Sequence, residues 1–278
     1  MPIGSQRIGL MVKCGRVASI TIALCMALTI LVVRPASAQT SSAPFTPEEG
    51  QPGKDVVWVP TPPELVERML DLAKVTPQDF VMDLGSGDGR NLIAAAKRGA
   101  RGRGVEFNPD MVTLSRRAAA DAGVSDRVEI VQGDMYAADI SQATVLALFL
   151  LPRNLLEFRT TFFNLAPGTR IVANTFGIEG WEPDVKDTPP GCRTWCTALL
   201  WIVPAKIEGT WRMPEGDLSL SQTFQKVSGV LGGRPITGGR LRGEEITFTV
   251  GDVQYTGRVN GDTMSGTTSS GATWSARR

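Results

Sequence analysis

Three carboxylates and a run of glycines are the residues of this chain best placed to do chemistry. In "VMDLGSGDGR", Val81 to Arg90, Asp83 stands two residues ahead of Gly85, and Gly85, Gly87 and Gly89 alternate through the turn that follows. Glycines at such a turn let the backbone pass close to a ligand, and the helix behind them offers free N–H groups. A dinucleotide fingerprint, G-x-G-x-x-G, would need its third glycine where Arg90 stands. Asp83 and Asp88 also place negative charge around the turn, which suits a cationic ligand better than a pyrophosphate. Glu106 follows in "GVEFN" and Asp134 in "VQGDMY". A carboxylate at the first position can accept from two ribose hydroxyls. One at the second can accept from an adenine amino group, with Met135 or Tyr136 packed on the ring. The chain contains no histidine, so His triads, His-ligated zinc and imidazole bases are excluded.

The surrounding pattern supplies elements to hold these groups. "DFVMDL" reads as a buried parallel strand, "RNLIAAAKRG" as a helix, "ARGRGVEF" as a strand and "NPDMVTLSRRAAADAG" as a helix capped by Asn108. "DRVEIVQGD" and "ATVLALFL" are further strands, "PRNLLEFRTTFFNLAPG" a helix begun by Pro152, and "TRIVANTF" a fifth strand. "TALLWIVPA" adds an apolar strand that can join antiparallel. Such β-α repetition predicts a parallel sheet covered by helices on both faces. Ahead of it, Thr61, Pro62 and Glu64 spell a helix start with Thr61 as cap. From Lys206 onward, short alternating segments with glycine turns predict an antiparallel meander, an open sheet or half-barrel. "VGD" at Val250 to Asp252 and "NGD" at Asn260 to Asp262 are its hairpin signals, and "GTW" and "ATWSARR" suggest an aromatic strand at each edge.

Taken in order, "VMDLGSGDGR", "GVEFNPDM", "VQGDMY" and "ATVLALFLLP" resemble the motifs of class I S-adenosylmethionine (SAM) dependent methyltransferases, over about residues 56–205. The resemblance implies a Rossmann-like α/β sheet of seven strands, the last antiparallel. It implies that Asp83, Gly85, Ser86 and Gly87 surround the methionine part of SAM, Glu106 the ribose, and Asp134 and Met135 the adenine. "WVPTP" before the first helix and "FGIEGWEPD" after the fifth strand are similar to the lysine methyltransferase group that includes the enzyme modifying the c-ring protein of mitochondrial ATP synthase. The function so implied is N-methylation of a protein lysine or other small nucleophile. "FLLPRN" stands where adenine and glutamine methyltransferases carry an Asn/Asp-Pro-Pro-aromatic motif, which argues against those acceptors. No residue is assigned a catalytic role, because transfer to a neutral amine needs alignment and a desolvated pocket more than a base. Trp58, Pro60 and Thr61 are candidates to line the acceptor pocket.

Residues 1–38 read as a signal peptide. Arg7, Lys13 and Arg16 precede an apolar run from Val17 to Val33, and Ala36-Ser37-Ala38 supply the cleavage pattern. An uncleaved anchor over 17–33, or a cytoplasmic enzyme started at Met26 or later, are the alternatives. Residues 39–55 have a linker's composition, 56–205 form the methyltransferase domain and 206–278 the meander domain. Cleavage removes Arg7, Lys13, Arg16 and Arg34 and no acid, so the formal charge of +1 becomes −3. That balance gives no electrostatic case for nucleic acid or an anionic membrane as partner. Cys192 and Cys196 lie in the exported part, where a disulfide closing their short loop is expected. A lone C-x-x-x-C gives no metal site. Export also raises a different class of function, a binding module that keeps the SAM scaffold without turnover, because SAM is made in the cytoplasm.

Overall fold

The computed structural model describes residues 45–191 and 193–278. The expected signal peptide, residues 39–44 of the linker segment and Cys192 lie outside the described residues. Among the described residues no helix is long and apolar enough to cross a membrane.

One sheet has seven strands: β1 (Phe80–Leu84), β2 (Arg101–Glu106), β3 (Val128–Gln132), β4 (Val145–Leu148), β5 (Arg170–Asn174), β6 (Val185–Asp187) and β7 (Ala198–Ile202). Their order across the sheet is β3-β2-β1-β4-β5-β7-β6. The first five run parallel, and β7 is antiparallel to both of its neighbours. The three-residue β6 was not legible as a strand in the sequence.

Side chains of a strand alternate between faces, and the central strands are apolar on both, so each face acquires its own core. Met82, Leu84, Leu146, Leu148, Ile171 and Ala173 pack with Leu155, Phe158 and Phe162 of α4 (Pro152–Phe163). Val81, Val145, Ala147 and Val172, one residue out of step, pack with α1 (Pro63–Leu72), α2 (Arg90–Lys97) and Val112 of α3 (Pro109–Asp121). Asn108 caps α3 by accepting from the Asp110 amide at 2.9 Å. The cap of α1 is Pro62 rather than Thr61 and makes no side-chain bond, because Pro63 already occupies the first turn.

The C-terminal segment closes further than expected. β8 (Gly209–Met213), β9 (Gly216–Thr223), β10 (Lys226–Leu231), β11 (Arg234–Arg242), β12 (Glu245–Val250), β13 (Val253–Asn260), β14 (Thr263–Thr268) and β15 (Thr273–Arg277) form a closed antiparallel barrel. Gly251 and Gly261 make the expected hairpins with φ of 59° and 57°. The two aromatic strands are neighbours rather than edges: β15 pairs β8 at Arg277 and Arg212. Closure removes the exposed edges an open sheet would leave. The interior is filled by Trp211, Leu218, Leu241, Ile246, Phe248 and Met264.

Residues 50–58 bend into a loop closed by two backbone bonds, Gly50 N–H to Trp58 O at 2.8 Å and Trp58 N–H to Gln51 O at 3.0 Å. The stretch whose composition suggested a linker thereby runs along the C-terminal edge of the sheet as a strap.

Candidate active site

The parallel strands all end at one edge, and the order reverses between β1 and β4, the place where an open α/β sheet leaves a crevice. A cleft of about 860 Å³, counted out to open solvent, lies there. The strap and the loops after β1, β2, β3 and β4 line it.

The loop after β1 is held close to β2. Gly85 and Ser86 donate their amides to Val105 O at 2.8 and 3.1 Å. Gly87 donates to Glu106 Oε2 at 2.9 Å, and Asn108 donates to Glu106 Oε1 at 2.9 Å. Two backbone amides therefore fix the orientation of the Glu106 carboxylate. Gly85, Gly87 and Gly89 have φ of 72°, 55° and 79°, which L side chains adopt only with strain. At Gly87 space adds a second reason, since a Cβ there would sit 2.9 Å from Trp58 Nε1.

Asp83 is 2% exposed and accepts from Asn91 Nδ2 at 3.0 Å. Burial pushes its carboxyl well above the ordinary range, the Asn91 bond opposes this, and the nearby Glu106 and Asp88 charges add to the rise. Asp88 is itself paired with Arg90, whose Nη1 also donates to Thr61 O at 2.6 Å. Ser86 Oγ and Asn91 Oδ1 are buried without a hydrogen-bond partner. All of these residues line the cleft, which carries four carboxylates (Asp55, Asp83, Asp88, Glu106) against two cations (Lys54, Arg90). A buried acid without a cation, orphaned polar atoms and a glycine-rich loop fit a positively charged ligand with hydrogen-bonding groups.

The cleft lining includes Asp83, Gly85, Ser86, Gly87, Glu106 and Met135, together with Trp58, Pro60 and Thr61. Asp134 stands beside the lining rather than in it: its Oδ2 accepts from Lys54 Nζ at 2.6 Å and its Oδ1 from the Tyr136 amide at 3.0 Å. The Lys54 ammonium lies 5.1 Å from the centre of the Phe107 ring. Trp58 is half-buried against the loop and takes no part in either core. Cys196 is buried and disulfide-bonded. Among the described residues no group of three or more His, Cys, Asp or Glu is placed to hold a metal. Lys54, Phe107, Asn91 and Phe149 were not singled out in the sequence: Phe107 and Phe149 fall within the quoted motifs, but nothing local marks their side chains as cleft-facing.

The sheet order, the antiparallel β7, the glycine loop and the anchored acid after β2 define a SAM-dependent methyltransferase of the Rossmann-like class. The model of the ANTKMT methyltransferase domain matches residues 83–185. A protein-lysine N-methyltransferase of Saccharolobus islandicus is 43% identical over 132 residues, covering 46% of this chain and 81% of that protein. The mouse adenine nucleotide translocase lysine N-methyltransferase is 36% identical over 121 residues, 42% of this chain and 52% of its own length. The crystal structure of an RNA methyltransferase from Salinibacter ruber, in complex with S-adenosyl-L-homocysteine, is 46% identical with a TM-score of 0.51. That match covers 54% of this chain and 96% of the other. The chain belongs to this methyltransferase family, and SAM is its cofactor.

Proposed function

We propose that the chain methylates the ε-amine of a protein lysine, with SAM held over the glycine loop. The observation that carries this is the charge of the cleft: a buried, cation-free Asp83 within a lining of four carboxylates against two cations favours two cationic reactants over a phosphate-bearing one. The lysine methyltransferases among the relatives support the same acceptor. Asp83, Gly85, Ser86 and Gly87 would hold the methionine part, Glu106 the ribose hydroxyls, and Met135 with Asp134 the adenine. SAM supplies an activated methyl group on a sulfonium whose departure leaves a neutral thioether. The protein's own share is to fix Glu106 through two amides, to keep Asp83 dry, and to align the acceptor amine with the sulfonium.

The relative described as an RNA methyltransferase gives RNA as a second acceptor class. Transfer of labelled methyl groups from SAM to a protein extract and to total RNA separates the two, with label expected on protein lysine. Label on RNA alone would overturn the lysine reading. We also propose that the chain is exported after cleavage behind Ala38. N-terminal sequencing of the mature protein should begin at Gln39, and a start at Met1 or Met26 would overturn it.

A further inference from the structure

Phe149 follows β4, Phe176 follows β5, and Trp195 precedes β7, so the fold gathers three aromatic residues from separate loops at one edge of the sheet. Their rings touch. Phe149 and Phe176 are stacked with centroids 6.3 Å apart, Phe176 and Trp195 lie at 5.2 Å tilted by 52°, and Phe149 and Trp195 at 6.4 Å tilted by 53°. Phe149 lines the cleft, Phe176 is half-buried, and Trp195 is 41% exposed. The three rings therefore make a continuous apolar path from the cleft interior to solvent, on the side away from Glu106 and the strap's Lys54.

The backbone beneath this path is strained. Thr175 and Trp195 have φ of 61° and 54°, in the left-handed region that non-glycine residues avoid. Such conformations persist where the surroundings over-determine them and cluster at ligand sites. Here the surroundings are visible: Thr175 donates its amide to Thr197 O at 2.7 Å and its hydroxyl to Asn174 Oδ1 at 2.8 Å. Asn174 is fully buried and in turn reaches Thr61, a residue of the cleft lining, at 3.4 Å.

We infer that Phe149, Phe176 and Trp195 form the acceptor channel and select an amine carried on an unbranched aliphatic stem. The assignment rests on the lysine reading above. A nucleobase inserted between two ring faces would need about 7 Å between them, twice the usual contact distance of about 3.5 Å. All three ring pairs are closer than that, and two are steeply tilted, so no slot for a flat base exists among them. A methylene chain needs no slot and lies along ring faces. By excluding water along the stem the rings favour the neutral amine: the ammonium gives its proton to solvent, and the free lone pair then takes the methyl group as the sulfonium becomes a thioether. These are positioning residues, acting on the stem and not on the reacting atoms.

The test uses two conjugates of S-adenosyl-homocysteine, one extended from sulfur by a lysine side chain and the other by a uridine. Both are titrated calorimetrically into the full chain beside S-adenosyl-homocysteine itself. The lysine arm should tighten binding by about tenfold in the wild type. Phe176→Ala and Trp195→Ala should each abolish that gain while S-adenosyl-homocysteine binds within about twofold of wild type, and Trp195→Phe should restore most of it. The unchanged binding of the parent compound shows that a variant is folded. An equal gain in wild type and variants would overturn the channel while leaving the lysine reading intact. A gain from the uridine arm and none from the lysine arm would overturn the lysine reading and the channel with it.

Discussion

The Gly87 amide donates to the Glu106 carboxylate at 2.9 Å, joining the turn after β1 to the end of β2. The second carboxylate oxygen takes the Asn108 amide at 2.9 Å. Each oxygen keeps a further lone pair for a ligand hydroxyl. Glu106 is thus a fastener of the glycine loop as well as a ligand acceptor. Glu106→Gln places an NH₂ group against one of two N–H donors and should not rescue function. Both Glu106→Gln and Glu106→Ala should weaken SAM binding in calorimetry by about tenfold or more. Wild-type affinity in either variant would remove Glu106 from the site.

Asp83 should couple cofactor binding to pH. Its carboxyl is pushed up by burial in the free protein, while a sulfonium or ammonium beside it favours the ionised form. SAM affinity should therefore fall as pH drops through the raised value and level off above it. Asp83→Asn should flatten this profile and weaken binding. The same variant removes the cost of burying an ionisable acid, so its melting temperature without cofactor should rise by about 4 °C or more at neutral pH. A variant both less stable and unchanged in its pH profile would show Asp83 to be an ordinary structural acid.

Asp79 behaves in the opposite sense. Burial alone would raise it, but bonds from Arg170, the Thr76 amide and Thr144, with the Arg170 charge, outweigh burial and hold it below the usual range. Its contribution is complete above the ordinary carboxylate value of about 4 and is lost as pH falls through the depressed one. Asp79→Asn should cost about 3 kcal/mol in denaturant unfolding at neutral pH, and less in acid. A cost that does not shrink below pH 4 would separate it from this ion pair.

The barrel is fastened to the sheet at one corner. Asp184, with its side chain 3% exposed, accepts from Arg240 Nη2 at 2.7 Å and from the Ile202 amide at 2.8 Å. Trp181 stacks on Phe224 with centroids 4.9 Å apart and planes 8° from parallel. Gln225, 1% exposed, donates to Glu182 O at 2.6 Å. Asp184→Ala should leave Arg240 and the Ile202 amide unpaired, lower stability by about 2 kcal/mol, and raise protease cutting between 203 and 208. An unchanged cutting pattern would mean that the aromatic contact alone holds the corner.

What the sequence disclosed follows from how local each feature is. Apolar runs and Pro or Asn caps announce β1 to β5 and α2 to α4, because burial on both faces and helix starts are written in neighbouring residues. The glycine loop and Glu106 are legible for the same reason. The three residues of β6 gain their strand character only by pairing with β7. Barrel closure depends on a single registered pair between Arg277 and Arg212, distant in sequence. The strap's composition suggests a linker, yet its shape comes from backbone bonds that carry no side-chain signature. Asp134 reads as a free acceptor only until Lys54, 80 residues away, is seen beside it. Phe149, Phe176 and Trp195 form no motif, since three loops deliver them separately.

The strap also gives the cleft two doors of unequal ease. On one side Trp58 sits over Gly87, and Lys54 reaches the ends of β2 and β3 through Phe107 and Asp134. On the other side Trp195 is open to solvent, and its ring neighbours are Phe149 and Phe176. The cleft is therefore covered on its β2 and β3 side and open on its β5 and β7 side.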